Sequence, residues 1–359
     1  NSDEELLQVV VSSDAGASLK ETFLEAWTQV LSKNYRFNNY KHTWYMGGTP
    51  EQYGPYELEP YIMPEEWGIT RRVVEKDLLG TGTFLWYEFH PEATLKAAKG
   101  TVPLLLLLHG NENDPRTQAE TSGFIELCAK ENFVVVELEW QGSKDYARMG
   151  MDGIEQVVYH LLDTYPQLDA SRIYTEGLSA GSATSTALGI RKSYLFAAGG
   201  GFSAGILPGN YRFDCNHQSL LNEALQKSGL VEMPYFSATG TSDTVVPFVN
   251  KDNWQENAFF NAWKVYQIMN GMSVTKRPDF SKDATFGIAL EKRKTIQTNK
   301  GISMETGELS ENGVPLIKMV AVNDYGHWNF KPAAKMMWDY FMQFSRDPKT
   351  KKLIYHGNK

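Results

Sequence analysis

Short apolar runs and amphipathic stretches alternate along the chain from about residue 70 to residue 345. Ile69 to Lys76 and Thr83 to Phe89 read as two strands around the turn Gly80-Thr81-Gly82. Leu104 to Leu108 is wholly apolar and ends in His109-Gly110, the pattern of a strand buried on both faces. Asp114-Pro115 then opens a helix, with Asp as cap and Pro in the first turn, that runs to about Lys130. Phe133 to Glu139 is the next strand. Gly153 to Tyr165 is helical, because Ile154, Val157, Val158, Leu161 and Leu162 share one face. Arg172 to Thr175 reads as a strand and Ala180 to Arg191 as a helix of small residues. Pro234 to Ala238 and Leu316 to Val322 are further strands, and Pro332 to Phe344 is a late helix. The long stretch from Phe248 to Val314 is expected to hold a helix around Trp254 to Met269 and a hairpin, and it is long enough to roof a cleft. Alternation of this kind predicts an α/β fold with a mostly parallel central sheet covered by helices on both faces.

Before residue 70 the pattern is different. Ser18 to Lys33 has the spacing of an amphipathic helix, with Leu19, Phe23, Trp27, Val30 and Leu31 near one face. A stretch rich in glycine, proline and aromatic residues follows, too broken for one helix and too apolar for a free linker. The expected organisation is an aromatic-rich extension over residues 1–70 laid against a main domain over 71–347, with a tail over 348–359.

Composition narrows the function classes. The chain has 359 residues, 42% of them apolar and 22% charged, which are ordinary values for a folded protein. Lys and Arg number 35 against 43 Asp and Glu, a net charge of −8, so nucleic acid is a poor partner. Val102 to Leu108 falls far short of the ~20 apolar residues that cross a bilayer. Two cysteines, Cys128 and Cys215, exclude a disulfide-built scaffold and leave the compartment open. The chain starts at Asn1 with no charged-then-apolar leader, as a processed or trimmed product would. A secreted or cell-envelope location is the expectation, with the cytoplasm still open.

Chemistry enters with Gly177-Leu178-Ser179-Ala180-Gly181. A Gly-x-Ser-x-Gly run between strand and helix forms a sharp turn that pushes the hydroxyl above the sheet, and it needs small neighbours. The pattern recurs at Gly201-Phe202-Ser203-Ala204-Gly205, so context must separate the two. Ser179 follows a strand and precedes a good helix, whereas Ser203 is followed by Ile206, Leu207, Pro208 and Gly209, which cannot start one. Ser179 is therefore the expected nucleophile and Ser203 a loop serine.

A serine needs a base, and the base an orienting acid. Of seven histidines, His327 alone follows a late apolar strand through a short turn, Asn323-Asp324-Tyr325-Gly326. Asp243, just past the strand Pro234 to Ala238, is the expected acid, which keeps the chain order Ser, acid, His. Asp324 is its rival, three residues before His327. Oxyanion donors are expected from the backbone N–H of Ala180 and from that of Asn111, in the loop after Leu108. His109 is expected to brace that loop. Trp140 and Trp328 are candidates to line the cleft and stack on substrate, although tryptophans mostly serve cores. Cys215-Asn216-His217 lacks a second ligand pair with zinc spacing, Gly80-Thr81-Gly82 lacks a third glycine and a following helix, and no phosphate-binding loop occurs. No cofactor and no metal are expected.

Leu108-His109-Gly110-Asn111, the Gly-Leu-Ser-Ala-Gly turn, the Gly240 to Pro247 loop and Gly326-His327-Trp328 together resemble an α/β-hydrolase. More narrowly they resemble the polyhydroxybutyrate-depolymerase and feruloyl-esterase group of carboxylic ester hydrolases, over about residues 70 to 345. The resemblance implies the triad Ser179, Asp243 and His327, with an oxyanion hole at Ala180 and Asn111. It implies a serine esterase acting on feruloyl, cinnamoyl or acetyl esters of plant polysaccharide, or else on short hydroxyalkanoate esters. A peptidase or amidase of the same fold is the alternative, since the triad does not distinguish ester from amide. A catalytically dead binding protein is the alternative from another class.

Overall fold

A computed structural model of the chain describes residues 64–113, 115–208, 216–298 and 302–357. The extension expected over residues 1–70 lies outside the described residues except for its last few, which include the 3-10 turn Pro64–Trp67. Asp114 and Cys215 also lie outside them.

Ten strands form one sheet among the described residues: β1 (Ile69–Lys76), β2 (Phe84–Pro91), β3 (Val102–Leu108), β4 (Val134–Leu138), β5 (Leu168–Gly177), β6 (Ala198–Phe202), β7 (Tyr235–Gly240), β8 (Glu291–Gln297), β9 (Ser303–Glu311) and β10 (Val314–Val322). Their spatial order is β1-β2-β4-β3-β5-β6-β7-β10-β9-β8. The six central strands from β4 to β10 pair in parallel, and antiparallel pairs close both edges.

The leucine run explains the layers. In β3, Leu104, Leu106 and Leu108 enter one apolar cluster and Leu105 and Leu107 the other, because successive side chains of a strand point to opposite faces. All five are fully buried, each worth roughly 1.5–3 kcal/mol of transfer free energy. Helices α3 (Gly150–Thr164), α4 (Ala180–Arg191), α5 (His217–Lys227) and α6 (Ala258–Met269) cover the first face through Val157, Leu188, Leu220 and Trp263. Helices α1 (Pro115–Ser122), α2 (Phe124–Glu131) and α7 (Ala334–Phe341) cover the second through Ala119, Phe124 and Trp338. The expected helices on both faces of a mostly parallel sheet are present.

Three local expectations change. The helix expected from Asp114 to Lys130 is two, α1 and α2, divided at Gly123, whose φ of 83° is left-handed. The late helix ends at Phe341, and Phe344–Arg346 (β11) instead pairs antiparallel with Leu353–Tyr355 (β12). The helix expected around Trp254 to Met269 begins at Ala258 after the 3-10 turn Trp254–Glu256, and the hairpin is β8–β9 at the sheet edge.

Candidate active site

Parallel strands carry the site because their carboxyl ends stop side by side. Leu108 at the end of β3 is paired with Gly177 at the end of β5, which sets the loop 109–113 beside the serine turn. Gly240 at the end of β7 is paired with Val322 at the end of β10. The loops beyond them are tied together by Thr241 N–H to Val322 O at 2.9 Å and Ser242 N–H to Tyr325 O at 2.9 Å.

The serine turn is built by its glycines. Ser179 sits at φ 54° and ψ −117°, a conformation that side chains rarely adopt and that lifts it out of the strand. A Cβ on Gly177 would overlap the backbone of Gly181, and one on Gly181 would overlap the Leu108 carbonyl oxygen. The turn therefore closes only with glycine at both places. Helix α4 starts at Ala180 and is buried from Ala180 to Ile190, which explains its run of small residues.

Ser179 Oγ lies 2.8 Å from His327 Nε2, and His327 Nδ1 lies 2.7 Å from Asp243 Oδ2. His327 is fully buried, Asp243 is buried and Ser179 is partly exposed. Asp243 Oδ1 accepts the backbone N–H groups of Val245 and Val246, each at 2.8 Å, so the carboxylate cannot swing away from the imidazole. Asp324, the rival acid, lies at φ 56° on the surface, and its N–H donates to Thr241 Oγ1. Ser203 is fully buried with its Oγ 3.5 Å from Trp328 O, away from the imidazole edge that Ser179 meets.

A cavity of about 710 Å³ opens over the side chains of Ser179, His327 and Asp243, and Gly110, Asn111, Ala180, Ser179 and His327 are among the residues that line it. The backbone N–H of Ala180, first residue of α4, has no partner within its helix. Val245, Pro247, Asn253, Gln255, Glu256 and Asn257 also line it, so the segment before α6 borders the cleft. The stretch from Phe248 was expected to be long enough to roof a cleft, but none of these residues was singled out from the sequence. Its available signal was the Asn257 cap, whose side chain accepts the N–H groups of Phe259 and Phe260 and fixes where α6 starts.

The tryptophans are elsewhere. Trp140 and Trp328 are 2% and 3% exposed, and neither lines the cavity. Trp140 donates its indole N–H to His109 O at 2.9 Å, so it braces the loop after β3 instead of presenting a face to the cleft. His109 is buried and pairs with Glu139 through Nε2 at 3.1 Å. Behind the serine turn, Glu176 accepts from Gln118 Nε2 at 3.0 Å, and Gln118 Oε1 accepts from Asn329, two residues past His327, at 2.8 Å. Burial pushes the Glu176 carboxyl up to about 8, only partly opposed by the Gln118 hydrogen bond. Among the described residues no group of three or more His, Cys, Asp or Glu could hold a metal ion, and no helix is long and apolar enough to cross a membrane.

No family model and no curated protein matches the chain in sequence. Solved structures do match in shape. An acetyl xylan esterase from Aspergillus awamori superposes with a TM-score of 0.52 at 15% identity, covering 76% of this chain and 99% of its own. The feruloyl esterase module from Clostridium thermocellum, complexed with sinapinate, gives 0.50 at 14% identity over 83% of this chain and 92% of its own. An S-formylglutathione hydrolase from Agrobacterium tumefaciens gives 0.50 at 9% identity over 77% and 95%. The chain has the α/β-hydrolase fold.

Proposed function

We propose that this protein is a serine ester hydrolase that works through an acyl-enzyme. The observation that carries the reading is the unbroken relay from Ser179 through His327 to Asp243, opening into a cavity of about 710 Å³. Ser179 Oγ attacks the ester carbonyl carbon while His327 Nε2 takes the hydroxyl proton. Asp243 holds the ring through Nδ1 and stabilises the imidazolium. The backbone N–H groups of Ala180 and Asn111 receive the developing oxyanion. His327 returns its proton to the departing alcohol, leaving the acyl group on Ser179. Water, deprotonated by the same ring, then releases the acid.

The cavity wall supports a substrate class. Among the described residues it is made largely of amides and apolar groups with two carboxylates, Asp252 and Glu256, and no Lys or Arg. Amide side chains suit hydroxyl-rich neutral groups, and carboxylates repel an anionic substrate. A cavity of this size accepts a ligand as large as a hydroxycinnamoyl sugar. Feruloyl, cinnamoyl or acetyl esters on plant polysaccharide are accordingly the proposed substrates, which goes with a secreted or cell-envelope enzyme. Fold neighbours described as acetyl xylan and feruloyl esterases agree with this choice.

The test is a panel of methyl ferulate, acetylated xylan, hydroxybutyrate oligomers and a matched aryl ester and anilide. The aryl ester should outrun the anilide, and a neutral aryl butyrate should outrun the aryl succinate at least about tenfold in kcat/KM, the cost of a like-charge encounter. A faster anilide would make the protein an amidase. A preferred succinate would remove the acidic wall as a selector.

A further inference from the structure

Three consecutive residues after β4 all reach across to the loop after β3. Glu139 Oε1 meets His109 Nε2 at 3.1 Å, and Trp140 Nε1 donates to His109 O at 2.9 Å. Gln141 goes further, using both ends of its amide. Its Oε1 accepts the Glu112 N–H at 2.7 Å, and its Nε2 donates to Asn111 Oδ1 at 3.0 Å. Glu112 stands at φ 57°, in the left-handed region that a residue with a side chain rarely adopts. The Gln141 amide thus captures the N–H of the strained residue and the side chain of the residue before it.

We propose that Gln141 is a positioning residue that sets the Asn111 backbone N–H for the oxyanion. The inference rests on the ester-hydrolase reading, since it assumes that this N–H is a donor. Asn111 lines the cavity and Gln141 does not, so Gln141 acts on the reaction only through the loop. A hydrogen bond to a developing oxyanion depends steeply on distance and angle. If Glu112 relaxes out of its left-handed conformation, the Asn111–Glu112 peptide turns and the loop moves. The loss should therefore fall on the transition state, not on substrate binding.

Gln141→Leu keeps the size and removes both hydrogen bonds. Removing an oxyanion donor outright costs about 10²–10³ in kcat, so a displaced one should cost about 10- to 50-fold, with KM changed less than about twofold. Affinity for an aryl trifluoromethyl ketone, which forms a tetrahedral oxyanion on the serine, should fall by the same factor. Gln141→Glu keeps the acceptor for the Glu112 N–H but sets a carboxylate against Asn111 Oδ1, and its loss should be smaller. That variant also serves if the leucine variant does not fold. Asn111→Ala keeps the backbone N–H, and adding Gln141→Leu to it should cost no more than Gln141→Leu alone. A kcat for both Gln141 variants within twofold of the parent, or losses confined to KM or to thermal stability, would overturn the assignment. Failure of the parent reading looks different: Ser179→Ala would then still hydrolyse esters.

Discussion

The two Gly-x-Ser-Ala-Gly runs end adjacent parallel strands, yet one serine faces a cavity and the other is sealed in the interior. Both lie at positive φ, 54° for Ser179 and 63° for Ser203. Strained backbone at a serine therefore does not by itself make a nucleophile. The two runs differ in the segment that comes after each turn. After Ser179 comes a helix of small residues that passes within contact of β3, and the hydroxyl emerges above the sheet. After Ser203 the chain runs past Gly205, where a Cβ would lie 2.5 Å from Ala258 O, so α6 closes over it. The second run supports the first. Phe202 O accepts the Ser179 N–H at 2.8 Å, and Ala204 O accepts the Ser182 hydroxyl at 2.8 Å. One motif presents a side chain, and the other presents backbone to hold it.

The largest break in this symmetry should appear in turnover. Ser179→Ala should lower kcat for an aryl ester by at least about 10⁴-fold, because the proposed acyl acceptor is removed and only the proposed oxyanion donors remain. Ser203→Ala should keep kcat within about threefold, its hydroxyl having only a 3.5 Å contact with Trp328 O to lose. Steady-state kinetics on both variants decides, and the reverse ranking would exchange the roles of the two serines.

Stability should separate the glycines next. Gly181→Ala places a methyl against the Leu108 carbonyl, backbone that is fixed in the middle of the sheet. Overpacking with no flexible neighbour to yield should cost at least about 3 kcal/mol or prevent folding. Gly80→Ala is the control, since φ is 71° there but nothing stands within 4 Å of the added carbon. Only left-handed strain remains at Gly80, about 1 kcal/mol. Urea unfolding of the two variants measures the gap, and equal midpoints would mean that close approach does not govern the serine turn.

The same contrast explains what could be read from the chain and what could not. Strand and turn positions were readable because β3 is wholly apolar, and because Pro208 forbids a helix after Ser203. His327 and Asp243 were readable from chain order, and their loops meet because β7 and β10 end in register. Trp140 was misread as a cleft wall. An aromatic residue after a strand can face a ligand or brace a backbone, and only the position of the His109 carbonyl, 31 residues earlier, decides which. Gln141 left no signal, since its amide becomes informative only beside the left-handed Glu112. Helix α5 went unseen because it is mostly polar, with only Leu220 and Ala224 buried.

The last contrast, which shows only as pH rises, concerns the residue just ahead of each run. Glu176 precedes Gly177, and Gly200 holds the corresponding place before Gly201 on the neighbouring strand. The Glu176 carboxyl is buried, with a pKa raised from its ordinary 4.5 to about 8. A carboxyl whose folded value is raised binds its proton more tightly in the folded than in the unfolded chain. Its contribution is therefore fully present below pH 4.5 and is lost as pH rises toward 8. The substitution Glu176→Gln keeps an acceptor for the Gln118 amide and carries no charge at any pH. The variant and parent should have similar stability near pH 4.5, and by about pH 9 the variant should lead by about 5 kcal/mol. Chemical unfolding at about pH 5, 7 and 9 supplies the slopes. Parallel slopes in the two proteins would show that the charge behind the serine turn is not what distinguishes it from its glycine-flanked neighbour.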